Sequence, residues 1–111
     1  MKQKNLSEAA AMENPPDVIR KTLAYNDEAM LCYFELKKGA QIPLHNHRAS
    51  QIGYLVSGHA RFIAEKPEDE FEVKAGDSYV LDPYVKHGTT ALEDSVYIEV
   101  FTPSRDEYKD F

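Results

Sequence analysis

The chain has 111 residues, 42% apolar and 29% charged, with a formal net charge of −6. That is the size of one globular domain, too apolar to stay disordered, and too acidic for nonspecific nucleic-acid binding, which needs a basic face. No apolar run approaches a membrane span, Leu6–Met12 is too short and too interrupted for a secretory leader, and a lone cysteine, Cys32, forbids an internal disulfide, so a cytoplasmic protein is expected.

Residues 1–16 read as a polar arm. Within it, Leu6 to Glu13 is expected to make a helical turn or two, closed by Asn14-Pro15-Pro16. From Asp17 the apolar period becomes 2, the signature of strands. Val18 to Tyr25 is the first strand, with a turn at Asn26-Asp27-Glu28. Ala29 to Lys37 alternates well, with Met30, Cys32, Phe34 and Leu36 on one face. Cys32 then reads as a small apolar filler of that face. Lys37-Lys38-Gly39 is a turn. Further strands are expected over the histidine stretch and at Gln51–Val56, Ala60–Glu65, Phe71–Val73, Tyr79–Leu81, His87–Ala91 and Ser95–Phe101. Residues 106–111 form a terminal turn or tail. Short strands with turn signals every eight to twelve residues point to an all-β sandwich or barrel spanning 17–105.

The chemistry gathers in Gly39 to Gly58, GAQIPLHNHRASQIGYLVSG. His45 and His47 are two apart, so on an extended strand both imidazoles face the same side. Gln51 adds an amide oxygen, and His87 adds a third imidazole from later in the chain. Three imidazoles and one amide oxygen suit a divalent transition metal: zinc, nickel, manganese and iron all accept such a set. The fourth histidine, His59, follows the Ser57-Gly58 turn and reads as a surface residue.

These residues resemble the cupin superfamily. Gly39, five residues, His45, one residue, His47, three residues, Gln51, six residues, Gly58 is similar to its first motif, with Gln51 in place of the usual carboxylate. Gly76-Asp77 through Asp82-Pro83 to His87-Gly88 is similar to the second, with Asp82 in place of a proline and Tyr84 in place of a turn glycine. The resemblance covers Asp17 to about Arg105. It implies a double-stranded antiparallel β-barrel of the jelly-roll type, holding a metal at His45, His47, Gln51 and His87. An open antiparallel sheet of this kind commonly covers a face or edge with a twin, so a homodimer is expected.

Ile98 to Arg105, IEVFTPSR, is similar to the end of the small pectin-degradation cupins, which ketonise 4,5-unsaturated monouronates. In those proteins an acidic residue, usually aspartate, and a phenylalanine lie on this strand, with an arginine just after it. Glu99, Phe101 and Arg105 hold those places here. The resemblance implies Glu99 and Arg105 as catalytic residues and Phe101 and Arg105 as substrate-binding ones, acting on a small carboxylate-bearing sugar acid. From the residues alone, Glu99 and Phe101 share a strand face, and Val96, Ile98 and Val100 take the opposite face as ordinary core. A carboxylate turned inward needs a partner, which a metal, a substrate proton or a basic side chain would supply. Arg105 could grip a carboxylate in bidentate fashion or lie in solvent. Tyr79, Tyr84 and Tyr97 read mainly as packing. Four neutral ligands leave a divalent ion its full charge and suit Lewis-acid work. They do not match the two-histidine, one-carboxylate set of many iron oxygenases. A metal-dependent dioxygenase and a noncatalytic small-ligand binder are the alternative functions.

Overall fold

The computed structural model describes residues 1–109. Ten strands form two antiparallel sheets: β1 Ala11–Glu13, β2 Val18–Tyr25, β3 Met30–Leu36, β4 Gln41–His45, β5 Ser50–Ser57, β6 His59–Ile63, β7 Phe71–Lys74, β8 Ser78–Leu81, β9 His87–Ala91 and β10 Ser95–Thr102. One sheet has the order β1-β2-β3-β10-β5-β8, the other β4-β9-β6-β7. The helical pieces are three single 3-10 turns, at Leu6–Glu8, Pro67–Asp69 and Asp106–Tyr108. No helix among the described residues is long and apolar enough to cross a membrane.

Two expectations change at the N-terminus and on the last strand. Only Leu6–Glu8 is helical. Ala11–Glu13 instead pairs with β2, Met12 opposite Arg20, because the edge of β2 offers ladder partners that an isolated two-turn helix lacks. On β10 the inward face is Tyr97, Glu99 and Phe101, all buried. Val96, Ile98 and Val100, expected as core, lie half-buried on the outer face. Both faces of this central strand are largely apolar, so alternation alone could not choose between them. Residues 110 and 111 of the expected tail lie outside the described residues. Asp106–Tyr108 does pack on the barrel, with the Tyr108 ring 5.6 Å from that of Phe101 and 6.3 Å from that of Phe34.

The core forms where the inner faces meet. β3 buries Met30, Cys32, Phe34 and Leu36 as its pattern predicts, against Leu55, Phe62 and Tyr97. Each such large apolar side chain, fully buried, contributes about 1.5–3 kcal/mol. Phe34 stacks on Tyr97 at 5.1 Å. Burial raises the Cys32 thiol to about 11, so it stays protonated and inert, in keeping with a filler role. The outer faces differ. The smaller sheet carries ion pairs from Arg61 to Glu70 and Glu72. The larger exposes an uncharged strip, Ile52, Tyr54, Val56 and Val80.

Candidate metal centre

Pro43 sits in β4, an edge strand, where its missing N–H costs no ladder bond. The register of β4 against β9 slips between Ile42 and His45, and His45 then pairs directly with His87. The strand ends at His45, so His47 does not continue it as the spacing suggested; it lies in the connection that follows, just before the bend at Arg48 and Ala49. Gly39 and Gly58 frame this stretch with φ of +87° and +96°, a region that costs other residues about 1–2 kcal/mol. Tyr84 carries that cost: its φ is +65° at the place where the resemblance puts a turn glycine. Its N–H donates to the His47 carbonyl at 2.8 Å and ties down the bend.

The three imidazoles converge despite the bend. Ring centroids lie 4.5 Å apart for His45 and His87, 5.1 Å for His47 and His87, and 5.6 Å for His45 and His47. One ligand nitrogen from each falls within 4.8 Å of the other two. The remaining nitrogens are all engaged in the same way. Nδ1 of His45 meets the Pro43 carbonyl at 2.9 Å, that of His47 the Ala49 carbonyl at 2.8 Å, and that of His87 the Val85 carbonyl at 2.8 Å. A carbonyl only accepts, so Nδ1 carries the hydrogen in each ring and Nε2 keeps a lone pair.

Those lone pairs fit a cation. His87 Nε2 is buried with no hydrogen-bond partner among the described residues. His47 Nε2 lies 3.1 Å from Gln51 Oε1. Both are acceptors, and two acceptors that close repel unless a positive charge lies between them. A proton does not serve well. Burial, with Arg105 nearby, lowers the pKa of His47, and burial lowers that of His87 to about 4. The donor set of three neutral imidazoles beside an amide oxygen therefore suits a divalent transition ion. His59 is elsewhere, half-buried on β6 with Nε2 2.6 Å from Glu72 Oε1.

Gln51 and Glu99 are nearly inaccessible, at 5% and 2% exposure. Gln51 Nε2 donates to Glu99 Oε2 at 2.6 Å, and the Tyr79 hydroxyl donates to the same oxygen. Burial raises the Glu99 carboxyl to about 7, offset in part by those two bonds and by Arg105. Phe101 packs edge-on to the His47 ring at 5.8 Å. Arg105 lies over the rings of Phe101 and Tyr108, at 5.3 and 4.2 Å, and its Nε donates to Glu107 at 2.7 Å. Glu99, Phe101 and Arg105 thus line one cavity with His45, Gln51 and His87. The cavity measures about 20 Å³, room for one water-sized occupant. A cleft of about 570 Å³, bordered by Lys66, Tyr84 and Lys86, also reaches His87 and is of ligand size.

Tyr79, expected mainly as packing, does pack, 4.4 Å from Phe62. Its bond to Glu99 had no sequence signal, because it joins strands 20 residues apart. Gly53 did leave one: a lone glycine inside a strand often marks a close approach.

The cupin-domain family profile matches residues 32–101, more than half the chain. No curated protein matches at a significant level. Among solved structures, KdgF from Halomonas sp. is 29% identical, with a TM-score of 0.88 over 98% of this chain and 99% of that one. An RmlC-like cupin from Shewanella frigidimarina is 26% identical, with a TM-score of 0.85 over 98% and 100%. The polyketide cyclase RemF from Streptomyces resistomycificus, 18% identical with a TM-score of 0.81 over 96% and 82%, shares the fold. With both sheets, the histidine cluster and the family match in agreement, the chain belongs to the cupin family, as a small all-β jelly-roll member whose His45, His47 and His87 could hold a metal ion.

Proposed function

We propose that this cupin is a metal-dependent isomerase that ketonises a small unsaturated sugar acid. One observation carries the reading: Glu99, Phe101 and Arg105, expected from the resemblance to pectin-degradation cupins, share a cavity lining with His45, Gln51 and His87. Similarity to KdgF along the whole chain supports it. His45, His47, Gln51 and His87 would hold the ion, which supplies Lewis acidity undiminished by any anionic ligand.

The protein's own groups do the rest. Arg105 takes the substrate carboxylate and answers the net negative charge of the chain. Phe101 shapes the pocket beside His47 and excludes water. Glu99 moves the proton, and a carboxyl near neutrality is suited to both taking and giving one. In the ring form the hemiacetal hydroxyl loses its proton, and the bond from the anomeric carbon to the ring oxygen breaks to leave an aldehyde and an enol. The enol becomes a ketone as a proton is added to the neighbouring alkene carbon. The net change moves one proton from oxygen to carbon, so atoms and charge balance without an oxidant. The inner cavity is too small for a sugar ring. The ring therefore enters past Arg105 and Tyr108, which line that cavity; the cleft at His87 carries none of Glu99, Phe101 and Arg105.

The test is loss of ultraviolet absorbance from the conjugated double bond of an unsaturated uronate, followed with metal-loaded protein. Decay faster than the uncatalysed rate is expected, with no oxygen consumed. Decay at the uncatalysed rate would retire the isomerase, and oxygen uptake with substrate would replace it with a dioxygenase.

A further inference from the structure

An amide side chain has two ends of nearly the same shape, one accepting and one donating. Which end of Gln51 faces the imidazoles is decided by what holds the other end. We propose that Gly53, Tyr79 and Glu99 form a positioning relay that fixes Gln51 with its carbonyl oxygen toward the histidines. The inference rests on the metal reading above and assigns how that site is built.

The relay is laid out by strand register. Glu99 on β10 pairs with Gly53 on β5, and Gly53 pairs with Tyr79 on β8. The three residues form one row across three strands, so Glu99 and Tyr79 start about 10 Å apart, twice the strand spacing. The phenol covers that distance by lying across the middle strand. Gly53 makes the passage possible. A Cβ there would lie no more than 2.5 Å from Tyr79 Cζ, Oη and Cε2, closer than any side chain tolerates. Gly53 has no left-handed φ to require a glycine, so space is its reason.

The chemistry then runs in one direction. Burial holds the Tyr79 phenol protonated, so its hydroxyl donates to Glu99 Oε2. Glu99, held as an acceptor, takes the NH₂ end of Gln51 at 2.6 Å. The carbonyl end is left facing His47 Nε2 at 3.1 Å. Reversed, the amide would aim its NH₂ at the place where the imidazole lone pairs converge, which repels a cation. Tyr79 and Gly53 touch no ligand nitrogen and act only through Glu99 and Gln51.

The experiment measures Co²⁺ affinity, by competition with a chelating dye, and the visible spectrum of the Co²⁺-loaded protein. Tyr79→Phe keeps the ring against Phe62 and loses only the hydroxyl. It should weaken Co²⁺ binding about 10-fold, the low end for loss of an outer partner of a metal ligand, and shift the Co²⁺ bands. Gly53→Ala should do the same by displacing the ring. In a Gln51→Ala background both effects should vanish, since nothing remains to be oriented. Wild-type affinity and spectrum in Tyr79→Phe, or an equal loss with and without Gln51, would overturn the relay while leaving the metal site standing. If Gly53→Ala does not fold, the Tyr79→Phe cycle decides alone. His47→Ala is the control for the site itself: if it binds Co²⁺ as tightly as wild type, the metal reading fails and the relay with it.

Discussion

The imidazoles and the amide that face one another inside the barrel are held by bonds of very different reach. Each histidine is oriented by a backbone carbonyl two residues away. Gln51 is oriented by Glu99, 48 residues on, and Glu99 in turn by Tyr79 from a third strand. A local lock depends only on the few residues around it. A relay depends on the register of three strands at once, so one displaced neighbour can release it. The histidine side should therefore show all-or-none losses on substitution, while the amide side should show graded ones.

The largest effect expected is from His47→Ala. On the proposed site it removes a ligand rather than a ligand's support, so metal affinity should fall by more than about 100-fold, beyond the range for outer partners. Activity should go with it while circular dichroism stays that of a folded β protein. Retained metal would break the contrast between the two sides.

Glu99→Gln comes next. It keeps the shape and removes the proton carrier, so turnover should drop by roughly 10²- to 10⁴-fold. Substrate binding should change little, and a steady-state split into kcat and KM reads the difference. A variant as fast as wild type would leave Glu99 as a support for Gln51 alone.

Arg105→Ala should act mainly on KM. Hydrogen bonds to charged groups contribute about 1.5–3 kcal/mol, or about 10- to 100-fold. The loss should appear with carboxylate substrates and disappear with an uncharged analogue. An equal loss with both would assign Arg105 to packing on Phe101 and Tyr108 instead.

The smallest effect is on pH-dependent stability in protein stripped of metal by a chelator. Burial lowers His87 from 6.5 to about 4. Between those values the unfolded chain binds a proton that the folded one refuses, so stability falls as pH drops. Burial raises Glu99 from 4.5 to about 7. Over that range the folded chain keeps a proton that the unfolded one has lost, so stability falls as pH rises. The two slopes oppose each other. Glu99→Gln should leave the histidine slope alone, so the Tm of the stripped variant should rise more steeply than wild type between pH 4.5 and 7. The divergence should be readable in thermal melts, since ~1 kcal/mol moves Tm by about 4–8 °C at this size. Parallel curves would show that Glu99 is not buried as described.

Much of this protein was determined by its sequence alone. The alternation of Met30, Cys32, Phe34 and Leu36 specified a strand and its buried face, because a pleated backbone sends alternate side chains to opposite sides. His45, His47, Gln51 and His87, with the glycines around them, marked a candidate metal set, and the structure brings the three histidines together. The locks on the histidines lie so close in sequence that the local backbone supplies them.

Other features were decided only by the tertiary structure. Val96, Ile98 and Val100 are as apolar as any core residue, yet the packing of the two sheets turned Tyr97, Glu99 and Phe101 inward. Ala11–Glu13 became a strand because β2 had an edge to fill. The row Glu99, Gly53, Tyr79 exists only where β10, β5 and β8 lie side by side in one register. Pairings between distant strands leave no periodic trace along the chain, so the orientation of Gln51 had to await the assembled sheet.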